Sequence, residues 1–170
     1  MKKIIIGVTI ASLVLSPTAF AKASGANLDI VRSNCNAARS TIQRIVSSDK
    51  TSRINRGRAY DRMSNLFINF SERLRQNNID NKKFVEISNQ FNVAAKSFRS
   101  NYDDYKTSID SVINRECASR PAEFYEALTN AREKRRKVND DINILNEIAK
   151  HYRNAVNELG KSLYGGKKHE

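Results

Sequence analysis

Histidine, proline, glycine and tryptophan are scarce in this chain, and each shortage removes a class of chemistry or structure. Tryptophan is absent and histidine occurs twice, as His151 and His169. Glu147 precedes His151 by one helical turn, which is half of a metal site, but no further histidine or free cysteine completes the usual ligand set. The pair therefore reads as an exposed helical Glu and His, and no metal or other cofactor is expected. With six glycines and two prolines, Pro17 and Pro121, the chain has few places to turn. That favours a few long helices over many short elements. Neither a glycine-rich phosphate loop nor a nucleophile elbow is present. The adjacent acids Asp103-Asp104 and Asp140-Asp141 would point about 100° apart on a helix, so neither pair can face itself across a substrate. Both read as solvated acids, and the chain is expected not to be an enzyme.

Apolar runs long enough for a membrane are also missing. The run Ile4 to Leu15 follows the basic start Met1-Lys2-Lys3 and precedes Ser16-Pro17-Thr18-Ala19-Phe20-Ala21, which ends on the small residues a signal peptidase reads. It is shorter than the roughly 20 residues a bilayer span needs. Residues 1–21 are therefore expected to be a signal peptide cleaved after Ala21, with a secreted or periplasmic product that has no transmembrane span. No cysteine stands at the cleavage site to take a lipid. Losing Lys2 and Lys3 lowers the formal charge from +12 to +10, so the basic excess survives processing. The remaining length suits one domain.

Cysteine is present only as Cys35 and Cys117, and residue 76, midway between them, falls in the polar break Arg75-Gln76-Asn77-Asn78-Ile79-Asp80. Folding the chain there brings the cysteines together, outside the cytoplasm where disulfides persist. Their spacing is unlike a Cys-x-x-Cys redox site.

The apolar spacing predicts an all-α fold, an elongated antiparallel three-helix bundle over 22–164 with helices at about 27–77, 80–116 and 121–163. The hairpin of the first two helices would be closed by the disulfide, and residues 165–170 would form a flexible tail. In the second helix Phe84, Ile87, Phe91, Ala94 and Phe98 alternate in steps of three and four, and Tyr102, Tyr105, Ile109 and Val112 resume after one extra residue. Asp80 is the expected N-cap. Pro121 suits the first turn of the third helix, whose stripe runs Leu128, Ala131, Arg135, Val138, Ile142, Leu145, Ala149, Tyr152, Val156, Leu159 and Leu163. The first helix has Leu28, Val31, Cys35, Ala38, Ile42 and Ile45, then Ala59, Met63, Leu66 and Phe70, with Asp49, Ser52 and Arg56 at the intervening core positions. Either one helix carries a polar middle, or two helices join through 47–52. The shared register favours continuity.

Matching heights around the hairpin midpoint places Asp49, Tyr102, Tyr105 and Arg135 at one level, as a polar layer in the core that would fix register more than add stability. A second group is cationic. Lys50, Arg53, Arg56 and Arg58 lie in the polar stretch of the first helix, and Arg132, Lys134, Arg136 and Lys137 crowd the third at a similar height. Together they form a candidate polyanion-binding face, against the plain reading of a solvated charge run partly neutralised by nearby aspartates.

The segment Cys117-Ala-Ser-Arg-Pro-Ala-Glu-Phe-Tyr, with Ala131-Arg132, Arg135, Val138, Asp141, Leu145 and Tyr152-Arg153, resembles secreted helical proteins of reduced-genome, candidate-phyla bacteria. The resemblance implies a signal, paired cysteines and three helices, and it brings no assigned activity. The expectation that follows from residues and charge is a structural or binding protein of the cell envelope. Its partner would be an anionic envelope polymer, a lipid surface or another protein, and nucleic acid fits the same charge. An extracytoplasmic holding chaperone is the alternative, which would need exposed apolar surface.

Overall fold

The computed structural model describes residues 25–165, with side chains from Leu28 onward. The expected signal peptide and residues 166–170 of the expected tail lie outside the described residues. Within them the chain is all-helical, as α1 (Gly25–Ser33), α2 (Cys35–Gln76), α3 (Lys82–Ile113) and α4 (Pro121–Tyr164). Four helices replace the expected three because the first pattern is interrupted at Asn34. There the side-chain amide donates to the Ile30 carbonyl at 3.0 Å, the same acceptor that the Asn34 backbone N–H uses at 3.1 Å. The break is confined to the backbone of this one residue, at φ −104° and ψ 16°, since the Ala38 N–H still donates to the Asn34 carbonyl at 2.9 Å. Across residues 47–58, α2 is uninterrupted.

The buried stripe of α2 does not keep a constant heptad phase. Leu66 is 64 % exposed, whereas its neighbour Phe67 is 7 % exposed, and Tyr60, Phe67 and Leu74 carry the core where Ala59, Leu66 and Phe70 were expected to lead. A straight α-helix drifts by about 20° per heptad against a 3.5-residue repeat, so over about five heptads the buried face moves by one residue. The same drift leaves Leu163, near the end of α4, exposed.

α2 ends in a Schellman turn. The Ile79 N–H donates to the Leu74 carbonyl and the Asn78 N–H to the Arg75 carbonyl, with Asn78 at φ 57°. Asparagine tolerates that left-handed conformation better than most residues. α3 begins at Lys82 rather than Asp80, yet Asp80 still accepts from the Lys82 N–H at 3.1 Å. α3 ends at Ile113, short of the expected Glu116. Cys117 lies in the turn that leads into α4, so the bond expected to close the hairpin of the first two helices is instead a tie from Cys35, the first residue of α2, to the start of α4. The two Cα atoms are 5.5 Å apart, inside the range a disulfide requires. Pro121 opens α4, where its missing N–H costs nothing.

Contacts between helices set their directions. From the α2–α3 turn to the far end, α3 meets α2 through Asn81 to the Ser71 carbonyl, Ser64 to Asn92, Arg99 to Asp61 and Tyr105 to Asp49. The numbers fall on α2 as they rise on α3. α3 meets α4 through Lys83 to Glu158 and Ser97 to Asp141, again in opposite senses. α3 is the most deeply placed of these helices, with Phe91, Phe98 and Val112 almost wholly buried. α2 and α4 stand further apart, with no Cα of one within 8 Å of a Cα of the other. Large side chains must therefore span that seam, or it stays open.

Candidate functional site

Polar chemistry concentrates at the middle of the α2–α4 seam. The guanidinium of Arg135, on α4, donates twice to Asp49, on α2, from Nε to Oδ2 at 2.8 Å and from Nη2 to Oδ1 at 2.9 Å. The Tyr105 hydroxyl, from α3, donates to the same Oδ2 at 2.7 Å. Such a bidentate, charge-assisted pair is geometrically specific as well as attractive. Burial raises the Asp49 carboxyl, but the hydrogen bonds from Arg135 and Tyr105 and the Arg135 charge outweigh it and hold it below its ordinary value. The Tyr105 phenol is pushed up, first by burial and then by its bond to Asp49.

Of the four residues expected to form a core layer, the structure joins Asp49, Tyr105 and Arg135. Tyr102 is buried beside them but lies outside this hydrogen-bonded group, and the Arg53 guanidinium sits 5.2 Å from its ring centroid. The position of the group is also corrected. The Arg135 side chain is 47 % exposed and that of Asp49 is 15 % exposed, so the pair closes the rim of the seam and does not sit inside the core. The gap between α2 and α4 lets a long side chain keep its charged head in water while its stem covers apolar surface.

The cations expected to share one face divide among several places. Arg53 and Arg56 converge with Arg135 around a groove of about 170 Å³ beside Tyr102 and Tyr105. Arg53 is paired with Asp103 at 3.3 Å. Lys134 points elsewhere, into a groove between α3 and α4 that also contains Glu123 and Glu126. Lys50, Arg58, Arg136 and Lys137 are exposed, and Arg136 lies 3.8 Å from Asp140. Arg132 is exposed on the first-turn side of Arg135.

Asp141 departs from the expectation for a solvated acid. It is buried, and its carboxylate accepts from the Ser97 hydroxyl at 2.9 Å and the Asn101 amide at 2.7 Å. Ser97 and Asn101 lie one turn apart on α3, so a polar i, i+4 pair opposite the stripe of α4 was the available signal. Glu147 and His151 are both exposed, and Glu147 reaches Lys150 at 3.6 Å. No helix among the described residues is long and apolar enough to cross a membrane.

Compared with protein-family models, curated proteins and solved structures, the chain matches none.

Proposed function

We infer that the protein is a non-enzymatic, extracytoplasmic structural or binding protein of the cell envelope. In this reading it is an elongated antiparallel three-helix rod, α1 and α2 serving as one layer, that contacts anionic polymers or surfaces through the cations of α2 and α4. The observation that supports it best is the imbalance on those two helices. Lys50, Arg56, Arg58, Arg132 and Lys137 are exposed and form no ion pair with a described residue, while Arg53, Arg135 and Arg136 each have one. The Asp49–Arg135 pair sets Lys50 and Lys137 at neighbouring heights on adjacent helices. Unpaired exposed cations raise the local concentration of a polyanion without demanding a fixed geometry. The signal-like segment at residues 1–21 and the disulfide point to a compartment where anionic wall polymers and lipid surfaces are found.

The test is the salt dependence of binding to heparin and to a teichoic-type polymer. Lys50→Gln with Lys137→Gln should flatten that dependence more than Lys82→Gln with Lys96→Gln on α3, because fewer counterions are released when local cations are lost. Equal effects from the two pairs would mean that the charge acts only as a diffuse total and would remove the face.

A further inference from the structure

A second cavity, of about 410 Å³, lies on the seam between α2 and α4 toward the disulfide. Its lining is apolar over most of its length, with Ala37, Ala38, Ile42 and Ile45 from α2 facing Leu128 and Ala131 from α4. Arg132 and Arg135 stand among its walls, and Arg135 and Tyr105 also line the smaller groove that holds Arg53 and Arg56. The two spaces are therefore neighbours along one seam. The apolar part, from Asn34 to Ile45, extends along about 17 Å of helix, and the cationic part continues for about as far again to Arg56.

Polarity here changes from end to end. An amphipathic helix, by contrast, carries its apolar and charged faces side by side over its whole length, so it would match a seam divided lengthwise. A molecule with an apolar chain at one end and an anionic head at the other matches a seam divided crosswise. Charge complementarity fixes the sign of the head. Asp49 is already engaged by Arg135, and Asp103 by Arg53, which leaves Arg56 and Arg132 without a carboxylate partner among the described residues. We propose that this seam binds a single-chain anionic amphiphile, the acyl chain lying against Ala37, Ala38 and Ile42 and the head drawn to the two unpaired guanidinium groups, Arg132 on the cavity wall and Arg56 in the adjoining groove. A carboxylate or a phosphate head can accept from an unpaired guanidinium fork of this kind.

The experiment is isothermal titration of the purified full chain with dodecanoate, dodecyl phosphate and the neutral dodecyl maltoside, each below its micelle concentration. Both anionic probes should bind, and dodecyl maltoside should bind weaker by about tenfold or more. Whichever anionic probe binds tighter identifies the preferred head. Ala37→Trp, at an exposed position, should fill the apolar end and weaken both anionic probes by about tenfold or more, with circular dichroism unchanged. Thr41→Phe, also exposed on the cavity wall, should act in the same direction if Ala37→Trp alters the fold. Arg56→Gln with Arg132→Gln should weaken the anionic probes and leave dodecyl maltoside unaffected. Comparison of wild type with these variants cancels any binding to the apolar segment Ile4 to Leu15. Heparin binding should survive Ala37→Trp, so the seam and the polyanion face fail separately. The proposal is overturned by absence of anionic probe binding, by equal binding of the maltoside, by insensitivity to both groove-filling changes, or by a dimer of the chain that Ala37→Trp dissociates.

Discussion

The seam between α2 and α4 is closed at one end and open at the other, and side-chain size accounts for the difference. Near the α2–α3 turn, Phe67 stacks on Tyr152 with ring centroids 3.7 Å apart, and Phe84, Phe70 and Phe91 pack edge-on around them. Two helices that stand apart can be packed together there because rings of that size fill the space between them. Near the disulfide the facing residues are Ala37, Ala38, Ile42, Leu128 and Ala131, and a cavity of about 410 Å³ remains. The Cys35–Cys117 bond lies at this less filled end. A covalent tie thus stands beside the open part of the seam and aromatic packing at the closed part, and the comparison can be broken by removing either device.

The largest effect should come from the bond. Closing a loop of 82 residues stabilises by about 4 to 5 kcal/mol in the chain-entropy treatment, an upper value because native strain and denatured-state structure reduce it. Reduction, or Cys35→Ser with Cys117→Ser, should lower the denaturation midpoint. In hydrogen exchange the loss of protection should concentrate around Ile42, Ile109 and Phe124, with less change around Phe67 and Phe91. Uniform loss would mean that the two ends are equally dependent on the bridge.

Next are the rings at the closed end. Phe67→Ala should cost about 3 to 5 kcal/mol, whereas Ile42→Ala, beside an existing cavity, should cost nearer the lower limit of about 2 kcal/mol for such changes. Chemical denaturation of the two variants decides this, and equal costs would show that the open end is packed as tightly as the closed one.

A smaller effect is expected from the polar group between the two ends. Because Arg135 is half exposed, Arg135→Leu should cost about 1 kcal/mol, well below the loss for a fully buried pair. Asp49→Ala should cost more, about 1 to 3 kcal/mol, since it also leaves the buried Tyr105 hydroxyl without its acceptor. The Asp49 carboxyl is depressed in the folded state. Its contribution is therefore complete above the unfolded carboxylate value of about 3.9 and is lost as pH falls through the folded value. Asp49→Asn should flatten that acid limb in pH-dependent denaturation.

The smallest expected change is at Tyr60, buried against Phe91 and Phe98, whose hydroxyl has no partner among the described residues. Tyr60→Phe should leave stability unchanged or raise it by up to about 1 kcal/mol. A clear loss would show that the hydroxyl is satisfied in solution.

Legibility differed between elements. The stripe of α3 could be read residue by residue, because a helix buried along its length shows its apolar period in full. The stripe of α2 could not, since phase drift over a long, half-exposed helix moves the core from Leu66 to Phe67 while both sequences of steps look regular. The meeting of Asp49, Tyr105 and Arg135 followed from height matching alone, whereas their place at the rim did not. Asp141 escaped notice because its partners are uncharged and come from another helix.

By itself the sequence determined the helical class, the pairing of Cys35 with Cys117 and the basic excess, since these depend on local periodicity, on there being only two cysteines, and on composition. Tertiary structure decided which cations share a groove, which aspartate is buried and where the seam stays open. Those outcomes depend on the spacing and rotation of α2 against α4, and that spacing is set by the size of side chains brought together from distant parts of the chain.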